Sequence, residues 1–375
     1  MEDPKIVTYP IPANDNGGLL HIYGNAHSSN VILFCGGYPD DHKPFTPLAR
    51  LLALESKCFV GITCFPGFEL GHFDNIRFNG YKRTGYSFDE VCACIREAVS
   101  LLFFEWNKNS SQQLTFDEVD DRAIDSRNVG VKFTIVLHDW AVIPGLMYVN
   151  RSIGEQYSLH VPNKIVLLDV LTAPHKHYQD VPLQVSVPYS LKPSTFELAV
   201  CFSYRFALAS SFAVLCYVSE ILGLINLVVS FGIVMLLRLN PTRALDNLLI
   251  EERRMSASSQ LSFYRHLVYM CYPYYYMFRC FIRGTGFEDI SIPLDLKSTP
   301  ILYIYGTNKN VMFHDWRSLA ILEREEREGR SECRVVRVED AGHWMYVQKL
   351  DVCLNEIKSF IEGDGSDKDV NQSNQ

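Results

Sequence analysis

Apolar residues in this chain come in short continuous runs, separated by longer stretches where they recur every three or four positions. "NVILFCGG", "KCFVGITCF", "KFTIVLHDW", "NKIVLLDVL" and "TPILYIYG" are runs of the first kind. A strand buried on both faces of a parallel sheet reads this way, because neither face meets water. "PFTPLARLLALES", "YSFDEVCACIREAVSLLFFEW", "AVIPGLMYVNRSI" and "FHDWRSLAILEREERE" are of the second kind and predict helices with one apolar stripe. "KIVTYPI" and "LLHIYGN" predict two early strands on either side of the turn-rich "PANDNGG". "CRVVRVED" predicts a last strand and "YVQKLDVCLNEIKSFIEG" a closing helix. Strand and helix alternate, so the expected fold class is α/β with a mostly parallel, doubly wound sheet.

The alternation is interrupted between residues 175 and 296, where the chain turns helical and aromatic-rich. A helical cap inserted between two sheet strands accounts for this. The expected organisation is a core in two parts, 1–174 and 297–362, a hydrophobic cap at 175–296, and a polar tail at 363–375, "GDGSDKDVNQSNQ", too poor in apolar residues to fold. "SSQQLTFDEVDDRAIDSRN" reads as a solvated acidic insertion. Within the cap, the stretch from Ile221 to Leu237 carries no charge, and "FALASSFAVLCYVSE" before it is nearly as apolar. A transmembrane helix takes about 20 such residues. The strands flanking the cap must share one sheet and therefore one compartment, so a single crossing is excluded. The segment crosses twice, enters and returns, lies in the interface, or packs on the core. Membrane association through residues 206–237 is expected, with a transmembrane helix among its forms.

Composition narrows the function classes. The net charge of −8 over 375 residues argues against nucleic acid as a partner, since phosphate binding needs a basic face. The 11 cysteines are scattered through apolar runs with no C-x-x-C pair, which predicts reduced, buried thiols and an intracellular setting. "MEDPKIVTYPIP" lacks the basic patch and apolar stretch of a secretory leader. No cofactor and no metal are expected.

One residue breaks the pattern of the buried strands. "KFTIVLHDW" runs an apolar strand into Asp139, and an ionised carboxylate is costly to bury without partners. A sharp strand-to-helix turn there would hold the side chain out of the sheet at its carboxyl edge, where ligands bind in open α/β folds. A helix N-cap or a salt-bridged core residue are the alternatives for Asp139.

Three stretches carry a resemblance. "GGYPDD" (Gly36–Asp41) resembles the H-G-x-P loop of α/β-hydrolases. "HDW" (His138–Trp140) resembles the nucleophile elbow of epoxide hydrolases and haloalkane dehalogenases, and "DAGHWMYVQKL" (Asp340–Leu350) resembles their G-H-W segment. The resemblance spans roughly Val31 to Ile361. It implies an α/β-hydrolase fold in which Asp139 is the nucleophile and His343 the general base. Backbone N–H groups near Tyr38 and of Trp140 would stabilise the oxyanion. The segment "YYYMFR" resembles the tyrosine–arginine part of the family's cap, which implies Tyr275 and Tyr276 as proton donors.

The chemistry agrees with an aspartate at that point. A carboxylate attacking an sp³ carbon gives an alkyl-enzyme ester, whereas attack on an ester carbonyl gives only a reactive anhydride. Epoxides or alkyl halides are therefore the implied substrates, hydrophobic small molecules or lipids given the cap. Tyr38 stands where halide-binding relatives carry Asn, which favours epoxides. There is no G-x-S-x-G to support a serine esterase.

The sequence departs from the family in several places. Gly36 replaces the usual His of the loop. Leu137 and Val142 crowd the elbow, where the family has small residues. Lys309 occupies the usual place of the catalytic acid, and Asp315 lies too far along, at a helix start. The end of the sixth strand offers Asp169 instead, with a structural cap as its alternative reading. His138 reads as structural. A dehalogenase-like hydrolase and a catalytically weak binding protein remain the rival readings. A carboxylate within hydrogen-bond reach of His343 separates the enzyme from the binding protein.

Overall fold

The computed structural model describes residues 4–11, 14–24, 28–68, 81–109, 131–154, 160–178, 195–236, 265–286, 289–308 and 314–363. The acidic insertion, Lys309, parts of the cap and all but the first residue of the tail lie outside them.

Eight strands form one sheet: β1 (Lys5–Ile11), β2 (Asn14–Tyr23), β3 (Asn30–Cys35), β4 (Phe59–Thr63), β5 (Lys132–His138), β6 (Lys164–Leu168), β7 (Ile301–Gly306) and β8 (Arg334–Val338). Their order is β1-β2-β4-β3-β5-β6-β7-β8, and only β2 runs against the rest. This is the α/β-hydrolase order. The hairpin between β1 and β2 is tighter than the turn residues predict. Asn14 already pairs with Ile11, so "NDNGG" belongs to β2.

The continuous apolar runs are central strands, and their side chains alternate between two cores. Val31, Leu33 and Cys35 of β3 enter one core with Phe133, Ile135 and Leu137 of β5. Ile32 and Phe34 enter the other with Val136. Both faces are covered, which is why the runs do not alternate in polarity. The helices α1 (Thr46–Glu55) and α8 (Leu350–Glu362) cover the second core. The helices α2 (Phe88–Asn109), α3 (Val142–Ile153) and α7 (Trp316–Arg327) cover the first. All eleven cysteines are free, and all but Cys280 are buried, as the thiol pattern predicts.

Among the described residues, the cap between β6 and β7 contains the helices α4 (Thr195–Tyr217), α5 (Glu220–Leu236) and α6 (Tyr272–Arg283). α4 packs on both α5 and α6. Among the described residues, no helix is long and apolar enough to cross a membrane. The transmembrane form of the cap expectation is corrected on this point: the apolar stretch divides into two helices packed on each other, with a break at Val218–Ser219.

The strand order reverses at β3, since β4 lies on one side of it and β5 on the other. The loops leaving the carboxyl ends of β3 and β5 diverge there and open a crevice. Gly36–Pro39 and Asp139 stand at that point.

Candidate active site

β5 ends at His138, and Asp139 follows with φ of 52°. A non-glycine residue in this region is strained and is held only by its surroundings. Two features of the packing hold it. Gly37 comes so close that a Cβ there would lie 2.5 Å from Trp140 N and 2.8 Å from Asp139 Oδ2. The crowding expected at Leu137 is relieved one helical turn further on, where a Cβ at Gly145 would lie 2.4 Å from the Leu137 side chain. α3 can therefore start directly against a large strand residue.

The buried Asp139 carboxylate divides its two oxygens between two tasks. Oδ2 accepts the Tyr38 backbone N–H at 2.9 Å. Oδ1 faces His343 Nε2 across 3.5 Å, a charge contact longer than a good hydrogen bond. No hydrogen-bond partner of that Nε2 stands among the described residues. On its other side, His343 Nδ1 lies 2.7 Å from Asp169 Oδ2. Asp169 leaves β6 with φ of 62°, is fully buried, and accepts the Gly306 N–H at 3.2 Å on Oδ1. Asp315 instead caps α7, accepting the N–H groups of Arg317 and Ser318 at 3.0 Å each.

Burial opposes charge on His343, but the close approach of the Asp139 carboxylate, the hydrogen bond to Asp169 and the negative charge of both outweigh it and push its pKa up to about 9. The raised value favours a proton on His343, which lies between the two aspartates. A folded pKa raised above the unfolded value of 6.5 stabilises the fold fully below pH 6.5, and the stabilisation is lost as pH rises through about 9. The difference in unfolding free energy between the wild type and His343→Gln should shrink over that window in urea titrations. A difference that is constant from pH 6 to pH 10 would contradict the charged resting state.

Beneath the site lies a polar cluster that the sequence reading assigned only in part. Asp40 accepts Trp344 Nε1 at 2.9 and 2.8 Å on its two oxygens and Tyr346 OH at 3.2 Å, and its Oδ2 lies 3.2 Å from His138 Nδ1. His138 Nε2 reaches the His343 carbonyl oxygen at 3.2 Å. A carbonyl only accepts, so Nε2 carries a proton. His138 thereby ties the loop that carries His343 to the end of β5.

The cap closes the site from above, with different tyrosines from those expected. Tyr275 OH reaches Tyr217 OH at 3.4 Å on the outer side, and Tyr276 lies under the Arg279 guanidinium at 5.6 Å. Tyr274 instead packs edge-on against the Trp140 ring at 4.7 Å and the Tyr38 ring at 5.3 Å. Its hydroxyl bonds that of Tyr204, on α4, at 2.7 Å. Burial holds both hydroxyls protonated well beyond the ordinary tyrosine range, and the Asp139 charge pushes the same way. Helical phase on α6 does not separate these tyrosines, because Tyr276 and Tyr272, three and seven residues before Arg279, share its stripe and are buried like Tyr274. No sequence signal marks Tyr204 either.

The strand order, the strained aspartate after β5 and the histidine after β8 define a protein of the α/β-hydrolase fold with a carboxylate at its elbow. No family model matches the chain, and no curated protein matches it. Among solved structures it is similar to an epoxide hydrolase of Bacillus megaterium bound to an inhibitor, at 14% identity and a TM-score of 0.48, covering 96% of this chain and 100% of that one. An epoxide hydrolase of Vigna radiata is similar at 14% identity and a TM-score of 0.49, over 96% and 99% of the two chains. A potato epoxide hydrolase is similar at 13% and 0.47, over the same shares. The class of fold is defined by the strand order and not by these likenesses.

Proposed function

We propose that the protein is a hydrolase that opens hydrophobic epoxides through an ester on Asp139. The observation that carries this reading is the Asp139–His343–Asp169 line, with Nε2 of the histidine 3.5 Å from one carboxylate and Nδ1 2.7 Å from the other. A binding protein has no need of a buried histidine charged between two strand-end aspartates.

Asp139 Oδ1 attacks an epoxide carbon, and the C–O bond to the ring oxygen breaks. The alkoxide takes a proton from the Tyr274–Tyr204 hydroxyl pair. A pair of hydroxyls suits an alkoxide better than a halide, which needs no proton. Alkylation removes the charge of Asp139. One of the two carboxylates that raise the His343 pKa is then gone, so the imidazolium loses its proton and becomes a base at the step that needs one. Water attacks Asp139 Cγ and gives its proton to Nε2. The charge developing on Oδ2 meets the Tyr38 N–H, a donor worth roughly 3 kcal/mol to such an intermediate. Collapse of the intermediate frees the carboxylate and a diol and leaves His343 charged as at rest, while the tyrosinate takes back from solvent the proton that the imidazolium released after alkylation.

A panel of aromatic and long-chain epoxides, run for a single turnover in ¹⁸O-water, tests this reading. The expected first-turnover result is unlabelled diol and label in the peptide containing Asp139. Label in the diol during the first turnover would exclude the covalent route, and no diol from any member of the panel would exclude the substrate class.

A further inference from the structure

α5 is built with its apolar face outward. Ile221, Leu222, Ile225, Val228 and Val229 fall on one helical stripe and are 49 to 69% exposed. The opposite side, with Gly223 and Leu227, is buried against α4. The outer side of α4 continues the surface with Phe202 and Phe206, whose rings meet Phe278 of α6 at 5.3 and 5.7 Å. Phe281 and Ile282 extend it from the end of α6, at 77 and 84% exposed. A monomeric protein rarely leaves a continuous apolar patch of more than a few hundred Å² to water.

Among the described residues, the charges at the edge of this patch that lack an ion-pair partner are all positive. Arg205 stands beside Phe206, Arg279 and Arg283 stand on α6, and the carbonyl of the exposed Arg83 accepts the Cys216 thiol at the end of α4. No ion pair joins any of the four to a carboxylate among the described residues. Glu220, the acid at the start of α5, is paired with Arg265 at 2.9 Å. This cationic rim belongs to a chain whose net charge is −8, so it is a local concentration against the overall sign. A second copy of the same face would set one cationic rim against another, which opposes self-association. An apolar stripe rimmed by arginines matches the boundary between acyl chains and anionic headgroups.

We propose that the outer face of the cap seats the protein on an anionic bilayer, with α5 lying in the plane of the interface. Tyr204 points from α4 into the site while Phe202 and Phe206 of the same helix point outward. A hydrophobic molecule in the membrane is then separated from the site by the thickness of one helix, about 10 Å. The proposal stands independently of the reaction at Asp139.

Co-sedimentation of the full chain with phosphatidylcholine vesicles, with and without phosphatidylserine, tests it. Binding is expected to be stronger with phosphatidylserine and to survive high salt in part. Ile225→Asp and Val228→Asp should each weaken it at least roughly tenfold. Arg279→Gln with Arg283→Gln should remove the preference for phosphatidylserine. The melting temperature of the aspartate variants should stay at the wild-type value, because both side chains stand in the open. No binding to either vesicle would overturn the proposal, and so would binding that the aspartates leave unchanged. A dimer in sedimentation equilibrium that the aspartates dissociate would assign the face to a second copy. A fall in melting temperature would show the stripe covered from within the protein.

Discussion

Asp139→Asn is expected to lower turnover by at least roughly 10⁴-fold, the scale of losing one member of a catalytic unit. The fold and the melting temperature should be unchanged. An amide is nearly the same shape as the carboxylate and keeps an oxygen to accept the Tyr38 N–H that Asp139 Oδ2 now accepts at 2.9 Å. It is a poor nucleophile, so the first bond cannot form. The substitution also removes a negative charge 3.5 Å from His343 Nε2, so the histidine should titrate lower than the value of about 9 it has in the wild type. Steady-state rates and a histidine NMR titration read the two effects separately. Activity within tenfold of the wild type would remove Asp139 from the chemistry.

His343→Gln is expected to trap the enzyme as its ester. Attack by Asp139 needs no base, whereas hydrolysis of the ester does. Intact mass should rise by the mass of one epoxide and stay there, with turnover stopped after the first event. Asp169→Asn should slow the same second step by roughly 10²–10⁴-fold, because the amide cannot balance the imidazolium at Nδ1. An unmodified, inactive His343→Gln protein in the presence of a reactive epoxide would show that the histidine serves the first step instead.

Much of this arrangement was legible from the chain alone. The five buried runs are the central strands β3 to β7, because a strand covered on both faces must be apolar at every position. Asp139 and Asp169 were legible for the opposite reason: each is a charge at the end of such a run, where nothing but a partner keeps it buried. The histidine line joining them was legible through "AGHW". The pairing of hydroxyls over the site was not, since six cap tyrosines lie between residues 264 and 276 and composition ranks them equally. Helical phase against Arg279 does not decide between them, since Tyr272 and Tyr276 share its stripe and are buried, and Tyr204 comes from a different helix, brought there only by the packing of α4 on α6. The place of Asp40 was also hidden. Its partners lie at residues 138, 344 and 346, and no local pattern links positions so far apart.

That buried cluster bears on the order in which the chain becomes complete. Synthesis delivers the first loop, the elbow and Asp169 well before residues 343 to 346 leave the ribosome. Until they do, Asp40 lacks the indole and phenol that hold it, and closing the loop over an underpaired carboxylate costs several kcal/mol. The donors that hold Asp40 therefore arrive together with His343, from one short segment at residues 343 to 346. On the proposed reaction, the loop beside Asp139 and the base that frees its ester would be completed by the same stretch of chain.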